Sequence, residues 1–469
     1  MNITIVGGGT AGWLTAFSLS NHRPEYSYTI IESPDIPTIG VGEGTTGHFR
    51  DLILSCGIDE IDFLRKTNAT LKLGIYFRGW KNGKDEYYNP IDGSVTSSDD
   101  LDASIYQQQL DKNPIDESSI CGFLNRRNKT TFTKDLQKLP LHAYHLDSHL
   151  TAQYIKEKTG VRTLRANIKK VCVENGNISK LILDDGTEVF SDLFLDCTGF
   201  KKILIGNLNP GWKFYTDYLP VNSAVTFSKP HGGKYEQVTK CEAMSAGWLW
   251  TIPKRDKFGM GYVYCDKYIS EEDAIKELGN DVEVSGRIKF ESGRLEKSWI
   301  GNCISLGLSS SFLEPLQATS IHTLIVQLGV LSGRYLQEKT NQSNRDSYNR
   351  FVNTMVDDFM QYVNMHYSGS GLRTEFWESI NLTDRNKELI EIAKVRGLYR
   401  DDFNNSYYGS AGSQLWMYTM IGMGHLPDDI CREALKVDWS VPIKNHLNSC
   451  GENLKNLLTV QEFDKMLSK

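Results

Sequence analysis

The sequence predicts an α/β protein: a doubly wound sheet at the N-terminus, a second β-sheet after it, and a helical C-terminal region. Three observations carry this. The apolar run Ile3-Thr4-Ile5-Val6 leads straight into Gly7-Gly8-Gly9-Thr10-Ala11-Gly12 and then into the helical stretch 13–19, which places G-x-G-x-x-G at a strand-to-helix junction. From Val171 to about Ile300, β-rich runs alternate with turns. After Pro315 the period becomes helical. Ile321, Leu324, Ile325, Leu328 and Leu331 share one face, and Tyr348, Phe351, Val352, Met355, Val356 and Phe359 repeat the spacing. Both stripes read as core.

At the first junction Gly7 permits a tight turn, Gly9 lets backbone approach a pyrophosphate, and Gly12 lets helix and strand pack closely. Thr10 and Ala11 open the helix, whose free N–H groups meet the phosphates. Twenty residues past Gly12 the second strand, Tyr28-Thr29-Ile30-Ile31, ends in Glu32. An acid there holds a ribose hydroxyl and disfavours a 2′-phosphate. Together these features predict a bound dinucleotide. Residues 81–135 are polar and irregular and read as a surface insertion. Val171-Cys172-Val173, residues 178–183 and Glu188-Val189-Phe190 form a three-strand meander with turns at Asn175-Gly176 and Asp185-Gly186. The next strand, Leu193-Phe194-Leu195, runs into Asp196-Cys197-Thr198-Gly199-Phe200. A second sheet is expected between about 221 and 300.

The composition is that of a soluble globule: 469 residues, 40% hydrophobic, 23% charged, net charge −6. No long basic run suggests nucleic-acid binding, and no apolar stretch is long enough to span a membrane. The first strand starts at Asn2, leaving no room for a leader, so a cytoplasmic protein is expected. Nine cysteines without a C-x-x-C pair indicate neither a metal site nor a disulfide framework.

One dinucleotide signature plus a meander returning to Asp196 and Gly199 resembles the FAD-binding fold of the glutathione-reductase type. The segment Gly247-Trp248-Leu249-Trp250-Thr251-Ile252-Pro253 is W-x-W-x-I-P, which resembles the signature of flavin-dependent halogenases related to the tryptophan halogenases. Three more blocks agree in order. Residues 32–45, with Ile39-Gly40-Val41-Gly42, resemble that family's flavin-covering strap. Asn68-Ala69-Thr70-Leu71-Lys72-Leu73-Gly74 resembles the segment bearing its catalytic lysine. Residues 308–316, from Leu308 to Pro315-Leu316, resemble the turn beside its isoalloxazine. Weaker similarity continues through His366-Tyr367, Phe376-Trp377 and Gly422-Met423-Gly424.

The resemblance implies a two-component enzyme. FAD, reduced by a separate flavin reductase, acts with O2 and a halide ion to form hypohalous acid. Lys72 then holds that oxidant, by hydrogen bond or as a haloamine, near a small electron-rich aromatic substrate, an indole or a phenol. An ammonium offers three donors, and partial burial lowers its pKa towards a nucleophilic amine. Trp248 and Trp250 alternate along a strand and so share a face. With Ile252 and Pro253 behind them, the resemblance makes them the wall between flavin and substrate. It places the halide at backbone N–H groups after Pro315, near Thr319 and Ser320, where a helix start supplies oriented amides. Residues 1–330 would form the FAD-binding module interleaved with a substrate-side sheet. Residues 331–469 would pack on it and cover the substrate, with the aromatic segment 406–418 as the lid. Self-association is left open.

One departure is clear. The family reads P-L-E-S-T-G where this chain reads Pro315-Leu316-Gln317-Ala318-Thr319-Ser320. Gln317 accepts no proton, though its amide can orient hypohalous acid or an indole N–H. Loss of the carboxylate also favours the neutral form of Lys72 and weakens activation of the electrophile, so bromide or iodide is expected over chloride. Glu314 is expected at the turn rather than in the substrate cavity. Two rival readings remain: a single-component flavin monooxygenase, and a flavin-binding protein without the chemistry.

Overall fold

The computed structural model describes every residue except 37–41, 92–104, 108, 112–117, 140, 280–281, 370–371, 399–401, 404–410, 436–455 and 469. Ile39, Gly40 and Val41 of the strap and the first part of the expected lid therefore lie outside the described residues.

The first apolar run becomes the strand Asn2–Val6, in the middle of a six-stranded sheet. It lies parallel between Ser27–Glu32 and Leu193–Asp196, with Arg162–Arg165 and Cys303–Ser305 as the next parallel neighbours and Trp299–Ile300 antiparallel at the edge. Strands buried on both faces carry near-continuous apolar runs, which is how 3–6 and 193–195 read. Register does the positioning. Val6 pairs with both Ile31 and Asp196, so the glycine turn, the end of the second strand and the 196–199 loop meet at one edge. The helix Thr10–His22 follows, with every residue from Gly12 to Leu19 buried. The meander is present as Ile168–Glu174, Asn177–Leu183 and Glu188–Val189. Its first turn has positive φ at both Asn175 (51°) and Gly176 (74°), the mirror-image turn that suits the twist of a hairpin.

The second sheet has seven strands, in the order Gly286–Lys289, Ser223–Lys229, Phe258–Tyr264, Gly247–Pro253, Val238–Met244, Gly74–Arg78 and Glu86–Pro90. The first five come from the expected region. The last strand corrects the reading of 81–135 as a surface insertion. Glu86–Pro90 pairs antiparallel with Gly74–Arg78 and buries Tyr87, Tyr88 and Asn89. Within the same stretch the helix Ile120–Arg126 and the strand Lys129–Thr133 are also largely buried. Their polar residues misled the sequence reading because their partners are remote. Asn89 Nδ2, for one, donates to the hydroxyls of Tyr362 (2.7 Å) and Thr419 (3.0 Å).

A small sheet, Glu43–Gly44, Ala143–Leu146 and Thr70–Lys72, joins the end of the strap to the Lys72 strand. The helical stripes are core as expected, although Phe351 is only half-buried. Helix Thr319–Val330 packs on helix Thr10–His22 and on Gly47–Ser55, and the 24-residue helix Gln342–Met365 packs beside it. Ser413–Gly422 lies against Glu86–Pro90 with Trp416, Met417 and Tyr418 buried. Among the described residues no helix is long and apolar enough to cross a membrane, and no group of His, Cys, Asp and Glu could hold a metal.

Candidate active site

The glycines divide the labour as their spacing predicted. A side chain at Gly7 (φ 121°) would stand 2.3 Å from the Cys197 carbonyl oxygen, and one at Gly12 would stand 1.8 Å from that of Gly7. These two are closed by packing. Nothing lies within 4 Å of the side-chain position at Gly9, which also opens helix Thr10–His22. Among the described residues no side chain caps that helix, and no acid sits in its first turn. The arrangement fits a pyrophosphate. Glu32 is nearly buried, and its Oε1 accepts from Lys156 Nζ at 2.5 Å.

Asp196 serves the loop after it. Its carboxylate is fully buried and accepts from the N–H and hydroxyl of Thr198 (2.9 and 2.6 Å) and from the N–H groups of Leu204 and Ile205 (both 2.8 Å). With both oxygens used in this way, it shapes the loop that carries Gly199 (φ 65°). The turn Gly199–Lys201 packs against Gly307–Ser309, bringing Leu308 to Gly199, and a side chain at Gly307 would stand 3.0 Å from Ala11 Cβ. The cofactor-side residues thus converge from four segments.

Lys72 ends the short strand Thr70–Lys72 and is 1% exposed. Its Nζ donates to the Thr45 carbonyl at 3.2 Å. One neutral acceptor is poor solvation for an ammonium, and burial lowers the pKa to about 8. A side chain at Gly44 would stand 2.8 Å from Nζ, so the glycine lets the chain pass close over the amine without displacing it. The Glu43–Gly44 strand also packs against the turn Leu316–Ala318. Glu43–Gly44 therefore adjoins both Lys72 and the turn that carries Gln317. Gly42 meets Ile252 on the same side, and Thr70 Oγ1 donates to the Pro253 carbonyl at 2.6 Å, fastening the Lys72 strand to the W-x-W-x-I-P strand.

Trp248 and Trp250 share a face of Gly247–Pro253, with ring centroids 6.1 Å apart. Trp250 lies over Gly261, where any side chain would stand 2.2 Å from the indole, and its own N–H is buried without a partner. Trp248 donates its N–H to Glu314 at 3.1 Å, and Tyr367 donates its hydroxyl to the same carboxyl at 2.9 Å. Glu314 is fully buried, and desolvation raises its pKa to about 8. Trp80 packs on both Trp248 and Tyr367, at 6.2 and 5.2 Å.

Three residues after Glu314, Gln317 takes the left-handed conformation (φ 64°), as does Ala318 (φ 55°). Pro315 itself is exposed at this turn. Helix Thr319–Val330 starts directly afterwards, with no side-chain cap and no acid in its first turn. The buried Thr319 and half-buried Ser320, where the halide is expected, lie in the first turn of this helix. The amide Nε2 of Gln317 stands 3.0 Å from Nε2 of His366, whose Nδ1 stands 2.7 Å from the Tyr87 hydroxyl. Sequence reasoning assigned no role to Tyr87, Trp80, Glu314, His366 or Tyr367. The signals available were the His366-Tyr367 similarity and, for Glu314, its place in the 308–316 block.

A model of the tryptophan halogenase family matches residues 2–438. Tryptophan 7-halogenase RebH of Lentzea aerocolonigenes is 29% identical over 477 residues, covering 91% of this chain and 90% of its own length. Among solved structures, Tar14, a tryptophan C-6 flavin-dependent chlorinase from taromycin biosynthesis, matches with a TM-score of 0.90 at 26% identity, covering 99% of both chains. Xcc4156, a flavin-dependent halogenase from Xanthomonas campestris, matches with a TM-score of 0.88 at 26% identity, covering 99% of this chain and 98% of its own. With the family match spanning nearly the whole chain, and the glycine cradle, tryptophan pair and buried lysine in one frame, this chain belongs to the tryptophan halogenase family of flavin-dependent enzymes.

Proposed function

We propose that this chain is the halogenating component of a two-component system, fed with reduced FAD by a separate reductase, and that Lys72 delivers the halogen to an indole or phenol ring. The observation that carries the reading is the state of Lys72: a fully buried amine on one carbonyl acceptor, with its pKa brought down to about 8, on the strand fastened to the two tryptophans. Bound reduced FAD supplies, with O2 and halide, the oxidation that yields hypohalous acid. The glycine cradle at 7–12 and the loop shaped by Asp196 hold the dinucleotide. The amides at Thr319 and Ser320 hold the halide. Trp248 and Trp250, backed by Ile252 and Pro253, keep the ring of the substrate from the flavin.

Near pH 7 to 8 both forms of Lys72 are populated. The ammonium hydrogen-bonds the oxygen of hypohalous acid; the amine takes the halogen from it and releases water. As that halogen passes to a ring carbon, the displaced ring proton returns to the Lys72 nitrogen, and this restores the amine. Gln317 cannot perform that last step, and without a carboxylate beside the electrophile the easily oxidised halides, bromide and iodide, are favoured.

The test combines the enzyme, FAD, a flavin reductase, NADH and each halide with a panel of aromatics, and weighs the products. Halogenated indoles or phenols are expected, and Lys72→Ala should abolish them while oxygen consumption continues. Rapid flavin reduction by NADPH without a reductase would identify a single-component monooxygenase. Flavin binding without oxygen consumption would identify a non-catalytic protein.

A further inference from the structure

His366 is fully buried, and each of its faces and edges is occupied. Phe77 stacks on the ring at 4.5 Å with 12° between planes, while Tyr362 and Trp80 meet it edge-on at 5.1 and 6.3 Å. The Tyr87 hydroxyl takes Nδ1, and the Tyr87 ring lies nearly parallel to both neighbours, with its centroid 4.7 Å from that of Phe77 and 6.1 Å from that of His366. Only Nε2 leads outwards, and it meets the side-chain amide of Gln317. Among the described residues no charged side chain bears on the imidazole. Burial alone lowers its pKa, to about 3, so the ring is neutral throughout the working pH range.

A neutral imidazole has one donor nitrogen and one acceptor nitrogen. With the amide N–H of Gln317 on Nε2, the acceptor is Nε2 and the donor is Nδ1–H, which points at the Tyr87 oxygen. The opposite amide orientation would call for the other tautomer, with Nε2–H donating to the Gln317 carbonyl and the Tyr87 hydroxyl donating to Nδ1. Gln317 is held at its backbone as well, in a left-handed turn directly before helix Thr319–Val330. Its Oε1 accepts no hydrogen bond from any described residue.

We propose that the Tyr87–His366 pair is a positioning device for Gln317, holding the amide nitrogen so that the carbonyl oxygen faces the substrate and selects aromatic rings bearing an N–H or O–H. This rests on the function proposed above and narrows its substrate class to rings that can donate a hydrogen bond. The Tyr87 hydroxyl is both donor and acceptor, so the pair is reversible. A glutamate at 317 would demand Nε2–H, and Tyr87 would then donate to Nδ1.

The ring nitrogens can be read directly. In 15N spectra of the full-length protein, with His366 assigned through His366→Gln, Nδ1 should be protonated and Nε2 bare. In Gln317→Glu the two should exchange. A protonated Nε2 in the wild-type protein overturns the proposal. In halogenation assays, replacing the ring N–H or O–H of a substrate by N-methyl or O-methyl should raise KM about tenfold, the size of one lost hydrogen bond. His366→Phe, which keeps the stack on Phe77, should raise KM to a similar degree and do nothing further in a Gln317→Ala background. Equal effects in both backgrounds would show that His366 does not act through Gln317. The nitrogen spectra need no substrate and decide the geometry, whereas a wild-type enzyme that halogenates nothing refutes the function proposed above.

Discussion

The indole N–H of Trp248 donates to Glu314 at 3.1 Å, and the hydroxyl of Tyr367 donates to the same oxygen at 2.9 Å. One buried carboxyl thus ties the tryptophan strand to the turn ahead of Gln317 and to the end of the long C-terminal helix. Desolvation holds its pKa at about 8, so near pH 7 it is mainly protonated.

Glu314→Gln should therefore be tolerated, because a neutral amide keeps an oxygen for both donors. Glu314→Ala leaves two buried donors unpaired and should cost about 2–6 kcal/mol, at roughly 1–3 kcal/mol for each. The native residue also carries a pH dependence of known sign. Its folded pKa lies above the ordinary 4.5, so its contribution is complete below 4.5 and is lost as pH rises through about 8. Urea unfolding at acidic, neutral and alkaline pH should show this decline in the native protein and a flatter profile in Glu314→Gln.

Lys72 gives the converse case. Burial brings its pKa from 10.5 to about 8, so the unfolded chain binds more protons between those values. Below pH 8 the buried amine costs about 3 kcal/mol, at about 1.4 kcal/mol per unit. Lys72→Met should be more stable than the native protein at pH 7, and the advantage should shrink as pH rises from 8 to 10.5. The same variant should make no halogenated product. A destabilised Lys72→Met would show that the amine is better solvated than one carbonyl bond implies.

Product formation should rise through about pH 8 as the Lys72 amine is deprotonated. Glu314 titrates in the same range, so the profile is best measured in Glu314→Gln, as product formed per NADH consumed. Gln317→Glu restores a carboxylate, which favours the ammonium and should move the midpoint upwards. A profile that does not respond to Gln317→Glu would place the 317 side chain out of electrostatic reach of Nζ.

With equimolar halides and one substrate, bromide or iodide should outcompete chloride. Gln317→Glu should raise the share of chloride by improving polarisation of the oxidant. If chloride already dominates in the native enzyme, the amides at Thr319 and Ser320 set the halide order, and Gln317→Glu should change only the rate.

Much of this was legible in order along the chain. The strand before Gly7, the open position at Gly9, the meander and the helical stripes are local patterns, each fixed by the few residues around it. The motif blocks around Lys72, Trp248 and Leu308 are equally local. The strand Glu86–Pro90 was not legible, because a polar residue such as Asn89 is compatible with burial only once Tyr362 and Thr419 are beside it, some 270 and 330 residues away.

The sequence by itself determined the glycine turn between the first strand and its helix, the family of the chain and the presence of Gln317 where that family reads glutamate. The tertiary structure alone decided that Lys72 sits beneath Gly44, that Glu314 is a buried carboxyl shared by Trp248 and Tyr367, and that His366 and Tyr87 stand behind Gln317. Glycine spacing and hydrophobic period act over one or two turns of chain, whereas a pKa or an amide orientation depends on which distant groups exclude water from a side chain, and only the completed packing sets that.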